Sequence, residues 1–157
     1  MSGACEIERK FLVKTVPAGL KKLPHAKMTQ GYFLMLDKDI EIRLRRKDLR
    51  YCLTIKSGHG TARLEEEISL PRKQFEVLWP LTRHARVAKT RYQIPFSGKT
   101  IELDVYAGPH RGLITADVEF NSHRESQHFR PPPWFGQEIT ANRRYSNQVL
   151  ARKRSKP

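Results

Sequence analysis

Asp39-Ile40-Glu41-Ile42-Arg43-Leu44-Arg45-Arg46 alternates charged with apolar residues, and Tyr51-Cys52-Leu53-Thr54-Ile55-Lys56 keeps the same beat after the break at Lys47-Asp48. A period of two is the mark of a strand, whose successive side chains point to opposite faces. Two such runs parted by a short polar break read as an antiparallel hairpin. One side of it is oily, with Ile42, Leu44 and Ile55. The other carries Glu41, Arg43, Arg45 and Lys56.

The same rhythm extends outward in both directions. Carboxylates stand two residues apart in Glu6/Glu8, Glu65/Glu67, Glu102/Asp104 and Asp117/Glu119, which together hold half of the 16 Asp and Glu. On a strand such pairs share one face, roughly 6.5 to 7 Å apart. Their neighbours Ile7, Ile68, Leu103, Val105, Val118 and Phe120 are apolar, and cations follow suit, with Lys10 two beyond Glu8 and Lys89 two before Arg91. Like charges crowded on one face are destabilising unless opposite charge separates or bridges them. A divalent metal together with a polyanion would do both. The alternative is a set of solvated outer faces over an ordinary core. The recurrence of short charged residues at one parity through so many strands favours a shared internal charged face.

Strand patterning covers Glu6 to Val13, Gln30 to Leu36, Asp39 to Arg46, Leu49 to Lys56, Ala62 to Leu70, Arg86 to Ile94, Lys99 to Ala107 and Ile114 to Asn121. A short helix is expected after Pro71, with Phe75, Leu78 and Trp79 as its packing stripe and Pro80 at its end. Glu125 to Phe129 reads as a helical turn, Pro131 to Gly136 as a stiff connection, and Ala141 to Lys153 as a terminal helix. About eight strands, mostly linked as meanders, are best accommodated by closure, which removes exposed edges. The expected fold class is mainly β (α+β), a closed eight-stranded antiparallel barrel with a few short helices outside. If the oily sides face out, the charged sides line a tunnel.

At 157 residues the chain suits a single domain, 1–157, with a basic tail at about 152–157. Two cysteines without metal spacing and no signal peptide point to a reduced, cytoplasmic setting. No apolar run suits a membrane span, and the scattered histidines lack ligand spacing. A net charge of +14 implies an acidic partner. Nucleic acid is disfavoured, because the acidic pairs would repel phosphate, whereas a small phosphate compound carried with a metal ion fits both signs. Gly98-Lys99-Thr100 is no nucleotide loop, since Gln93 stands where a P-loop needs Gly and no helix follows. Trp134 and Phe135 could stack bases, but after three prolines they are better read as pinning a loop to the barrel.

Taken in order, Glu6-Ile7-Glu8-Arg9-Lys10, Gln30-Gly31-Tyr32, Glu41-Ile42-Arg43-Leu44-Arg45, Leu53-Thr54-Ile55-Lys56, Glu65-Glu66-Glu67, Lys89-Thr90-Arg91-Tyr92, Glu102-Leu103-Asp104 and Val118-Glu119-Phe120 resemble the CYTH family, the triphosphate tunnel metalloenzymes, in its short bacterial form. The first of these matches that family's Glu-x-Glu-x-Lys signature. Where the family commonly has a second Glu-x-Glu, this chain has Asp117-Val118-Glu119, a side chain one methylene shorter that leaves contact through water as an alternative to direct ligation.

The resemblance implies an eight-stranded tunnel that binds a triphosphate with Mg2+ or Mn2+, and is nearest to the inorganic triphosphatases. The expected reaction is hydrolysis of inorganic triphosphate to pyrophosphate and orthophosphate. Action on an organic triphosphate such as thiamine triphosphate or ATP, and a non-catalytic polyanion- or RNA-binding barrel, stay open. Lys10, Arg43, Arg45, Lys56, Lys89 and Arg91 are the expected phosphate-binding residues. Glu6, Glu8, Glu65, Glu67, Glu102, Asp104, Asp117 and Glu119 are the expected metal set. Tyr32 and Lys56 are the expected catalytic residues, the phenol's pKa being lowered by the ammonium beside it. The expected partner is a small-molecule triphosphate, with no membrane and a homodimer left open.

Overall fold

The computed structural model describes residues 7–58 and 64–153. Nine strands form one antiparallel sheet: β1 (Ile7–Val13), β2 (His25–Tyr32), β3 (Ile40–Lys47), β4 (Arg50–Ser57), β5 (Leu64–Ser69), β6 (Arg86–Phe96), β7 (Lys99–Tyr106), β8 (Ile114–Phe120) and β9 (Phe135–Glu138). Three short helices accompany them, α1 (Arg72–Leu78), α2 (His123–His128) and α3 (Asn147–Arg152). The strand order is β5-β4-β3-β2-β6-β7-β8-β1-β9.

The hairpins form where the sequence places its breaks. Lys47 pairs with Arg50 across Asp48-Leu49. Asp48 takes the left-handed φ of 51°, a conformation that Asp tolerates better than most residues, and its carboxylate accepts the Lys27 N–H at 2.9 Å. Phe96 pairs with Lys99 across Ser97 and Gly98. Both turn residues have positive φ, 48° and 72°, as a type I′ hairpin requires. Gly98-Lys99-Thr100 is therefore a turn running into a strand.

Cross-strand register shows which side chains share a face. Glu8 stands opposite Glu119 and Lys10 opposite Asp117, and Asp117 opposite Glu102. Asp104 faces Arg91, Gln30 faces Arg45 and Tyr32 faces Arg43. Lys56 lies between Glu41 on β3 and Glu65 on β5. Paired residues point the same way, so one continuous charged face runs through β1 to β8. The opposite face carries Phe11, Ile101, Ala116, Val118 and Phe120, which bury themselves with Phe135. Phe129 and Trp134 pack over them, and the Phe11 and Phe135 rings lie 4.7 Å apart. Trp134 and Phe135 pin a segment onto the barrel, as expected.

The sheet curls around its charged face into a barrel-like tunnel, with the oily face outward. Four details differ from expectation, the first being that the strand read over Gln30 to Leu36 runs instead over His25–Tyr32. A ninth strand begins at the end of the segment read as a stiff connection and runs past it, because Phe135 and Glu138 find partners in Val13 and Phe11 along the outer edge of β1. Among the described residues the ladder is not closed, and its two ends are β5 and β9. The expected terminal helix shortens to α3, preceded by a 3-10 turn over Arg143–Tyr145. Ser146 caps α3 by accepting the Val149 N–H, which sets its start well past Ala141.

One end of the inner face is apolar. Leu150 and Ala151 of α3 pack there with Tyr32, Val87, Tyr106 and Leu113. α3 therefore stops one end of the bore and leaves its middle polar. Outside, α1 lies over β4 and presents Phe75 to Tyr51 and Trp79, with ring centroids 4.9 and 5.1 Å apart. The expected packing stripe is thus filled.

Gly31 allows this outer layer to approach β2. A Cβ there would sit 2.2 Å from Thr82 Oγ1 and 2.8 Å from Trp79 Cζ3. Gly31→Ala is expected to destabilise the protein by about 1–3 kcal/mol through overpacking, read from urea unfolding midpoints. An unchanged midpoint would show that the Trp79 layer yields freely.

Candidate active site

The polar part of the bore is a cavity of about 610 Å3. Its wall takes Glu8 and Lys10 from β1, Gln30 and Tyr32 from β2, Glu41, Arg43 and Arg45 from β3, Lys56 from β4, and Glu65 and Glu67 from β5. Arg91 comes from β6, Glu102 from β7, and Asp117 and Glu119 from β8, while Arg143, Ser146, Asn147 and Gln148 close it from the C-terminal segment. Every strand from β1 to β8 contributes. Glu6 lies outside the described residues, as do residues 154–157 of the expected basic tail.

Ion pairs organise the wall. Lys56 Nζ is 2.8 Å from Glu65, Arg45 is 3.7 Å from Glu67 and Thr54 donates to Glu67 at 3.3 Å. Lys10 Nζ lies 2.7 Å from Asp117 Oδ1. Burial opposes the Lys10 charge, but Asp117, with Glu8 and Asp104 adding to it, raises the ammonium's pKa. Arg91 pairs with Glu102 and Asp104 and approaches Asp117 at 3.6 Å. Arg43 is held more loosely. Glu41 approaches it at 3.9 Å, and its buried Nε has no hydrogen-bond partner among the described residues.

Lys89 and Asp104 are where sequence parity misplaces residues. Both belong to the charged face, yet neither lines the cavity. Their side chains are 1% and 0% exposed and meet at 2.5 Å. Burial acts to raise the Asp104 pKa, but Lys89 and Arg91 override it and hold the carboxyl well below the usual range. The two residues are sealed behind the wall, because the neighbouring end of the bore is filled by α3.

Tyr32 also departs from expectation. It is 1% exposed, and burial pushes its phenol up to about 12, outweighing the nearby Arg43 charge that pulls the other way. An ammonium-lowered phenol is not what the fold builds. Gln30 links this residue to the cations: with its amide oxygen turned to Arg45 it accepts from Nε at 3.0 Å and Nη2 at 3.3 Å, and its amide nitrogen donates to the Tyr32 hydroxyl at 3.1 Å.

The carboxylates on β1, β7 and β8 suit a hard cation. Burial, with Asp117 next in effect and Glu119 adding to it, lifts the Glu8 carboxyl to about 7 even though Lys10 and Arg91 oppose this. Such crowding of like charge is what an oxygen-seeking divalent ion relieves. Buried Asp117 Oδ1 has Lys10 Nζ 2.7 Å away as an ion-pair partner but no hydrogen bond among the described residues. Among the described residues no three acidic, His or Cys side chains already converge on one ion position. Mg2+ typically takes one or two carboxylates and completes its shell with water and substrate phosphate, so the donor set fits.

Glu41, Gln30, Arg143, Ser146, Asn147 and Gln148 line the cavity without having been singled out as site residues. Glu41 and Gln30 carried a usable signal, since both share parity with Arg43 and Tyr32. The other four come from a turn and a helix start, where no period marks the inward direction.

Comparison with known proteins agrees with this geometry. A family model described as the CYTH domain matches residues 4–147. An inorganic triphosphatase from Nitrosomonas europaea is 47% identical over 148 residues, which are 93% of this chain and 96% of that protein. A second inorganic triphosphatase, from Acetivibrio thermocellus, is 33% identical over 94% of this chain and 93% of its own length. The crystal structure of the inorganic triphosphatase NE1496 superposes with a TM-score of 0.76 at 45% identity, covering 94% of this chain and 95% of that one.

Proposed function

The chain belongs to the CYTH domain family, and from that premise we propose that it hydrolyses inorganic triphosphate to pyrophosphate and orthophosphate in its charged bore, with Mg2+ or Mn2+. It is an enzyme of the hydrolase class, as its triphosphatase relatives support. Metal dependence goes with the family. The observation that carries the reading is the wall itself, where cations and carboxylates from seven strands, joined by Gln30 and Tyr32 of β2, face one cavity.

Arg43, Arg45, Lys56, Arg91 and Lys10 grip the phosphate chain. Guanidinium forks take phosphate oxygens in pairs, and Lys56 supplies a compact charge. Arg43 is the readiest of them, since its Nε has no bond among the described residues that must first be given up. Glu8, Glu102, Asp117 and Glu119, with Glu65 and Glu67 across the bore and Glu6 beyond the described residues, form the metal-holding set. Bound metal supplies charge neutralisation at phosphate oxygens and a water of lowered pKa. Glu8 must shed its proton to serve, which the neighbouring Lys10 and Arg91 assist.

Tyr32 serves as a hydrogen-bond donor and positioning group at neutral pH. Tyr32→Phe is expected to lower kcat by no more than about tenfold and to leave the shape of the pH–rate profile unaltered. Loss of a profile limb would reinstate the phenol as a base.

The deciding experiment measures phosphate release from tripolyphosphate with Mg2+, with Mn2+ and in EDTA. Activity that persists in EDTA would remove the metal role, and none with either ion would sink the reading. One observation favours organic triphosphates as a second reading. A neighbouring chamber of about 830 Å3 shares Glu41, Arg143 and Gln148 with the bore and adds Met35, Ile40 and Val149, where an organic group could rest. Thiamine triphosphate and ATP assayed beside tripolyphosphate separate the two. Among the described residues no helix is long and apolar enough to cross a membrane, and Cys52 is a free thiol, which fits a reduced cytoplasmic setting.

A further inference from the structure

Behind the wall, three residues form a closed set of charge-assisted bonds. Asp104 Oδ1 accepts from Arg91 Nε at 2.7 Å, and Oδ2 accepts from Arg91 Nη2 at 2.8 Å and from Lys89 Nζ at 2.5 Å. Lys89 also donates to Asn147 Oδ1 at 3.3 Å, an oxygen that the Tyr106 hydroxyl reaches at 2.9 Å. Arg91 and Asn147 line the cavity, whereas Lys89 and Asp104 do not.

We propose that Asp104 and Lys89 are positioning residues: Asp104 fixes the Arg91 guanidinium as a phosphate clamp, Lys89 ties that clamp to the start of α3, and neither touches metal or substrate. The inference rests on the triphosphate reading of the cavity. The geometry argues for it at each atom. Both Asp104 oxygens are occupied and the side chain is fully enclosed, so an ion could reach it only by displacing Arg91 or Lys89. Parallel Nε and Nη2 bonds to one carboxylate set the plane of the guanidinium as well as its place. One Nη1 hydrogen goes to Glu102, which leaves one N–H on each terminal nitrogen for phosphate oxygens.

Asn147 gives the set its second purpose. As the first residue of α3 it stands where the stopper meets the bore, and Lys89 and Tyr106 converge on its amide oxygen. One buried lysine therefore joins the phosphate clamp on β6 to the cap over the cavity.

The test is a mutant cycle read by calorimetric binding of tripolyphosphate in EDTA, with metal-activation curves alongside. Asp104→Asn is expected to weaken metal-free binding about tenfold or more, and Arg91→Lys by a similar factor. In the Arg91→Lys background, Asp104→Asn should add less than about twofold, because its effect passes through the guanidinium. The metal concentration for half-maximal activity should be unchanged. Losses that multiply, or a metal requirement raised tenfold with metal-free binding intact, would overturn the proposal and make Asp104 a metal ligand. Should Asp104→Asn not fold with Lys89 left unpaired, Lys89→Met with Asp104→Asn removes both buried charges together and must show the same binding loss. A wild-type protein that binds but does not hydrolyse tripolyphosphate would refute the proposed activity and leave this cycle readable.

Discussion

Arg43→Ala should lower kcat/KM for tripolyphosphate by about a hundred- to a thousandfold, the effect of losing roughly 3–4 kcal/mol of charge-assisted contact at a largely buried side chain. Arg43 lines the cavity, its Nε is buried without a partner among the described residues, and Glu41 approaches only to 3.9 Å. The protein therefore bears the cost of an unmet donor before substrate arrives. The same substitution should leave thermal stability equal or higher in the absence of ligand, since it deletes that donor. Arg43→Lys should recover little activity, because an ammonium cannot reproduce a planar fork. A fall of less than tenfold in Arg43→Ala, measured by steady-state phosphate release, would remove Arg43 from the binding set.

Glu8→Gln should cost about a hundredfold or more in activity and, unusually for an active-site change, should stabilise the metal-free protein above pH 7. The sign follows from the raised pKa. An ordinary glutamate near 4.5 in the unfolded chain becomes about 7 in the fold, so the native state binds more protons between those values. Its stabilising contribution is complete below about 4.5 and is lost as pH rises through about 7. Thermal melts in EDTA from pH 5 to 8 should show wild type losing stability over this range while Glu8→Gln stays flatter. Parallel curves would mean that Glu8 is not crowded. Activity within tenfold of wild type would take it out of the metal-holding set.

The alternation at Glu41, Arg43 and Arg45, and at Glu65 and Glu67, was enough to place these side chains on one face, because a strand's period of two is strict and the oily residues between them had to turn the other way. That made the inverted arrangement, charge inside and oil outside, legible before any coordinates. Parity gives the face but not the depth. Lys89 and Asp104 share the face of Arg91, yet α3 fills the space beside them, and a contact contributed from 58 residues away at Asn147 leaves no local trace. Arg143 and Gln148 were illegible for a related reason, since a turn and a one-and-a-half-turn helix carry no period to read. The strand at Phe135–Glu138 hid behind Pro131, Pro132 and Pro133, whose stiffness is a local signal, whereas its pairing with β1 is a distant one. Tyr32 shows the same limit, since adjacency to a cation is visible in the strand pattern but the burial that raises its pKa is not.

A staved cask bound all the way round has one girth, set by the number of staves and their slant. Among the described residues this one has a slit, since the ladder stops at β5 on one side and β9 on the other. Its girth can change without any rung of the ladder being broken. Glu65 and Glu67 ride on the stave beside the slit, while most of the other carboxylates stand on the opposite flank. Charged groups on its two flanks face one another across the channel, so the forces between them bear directly on its breadth.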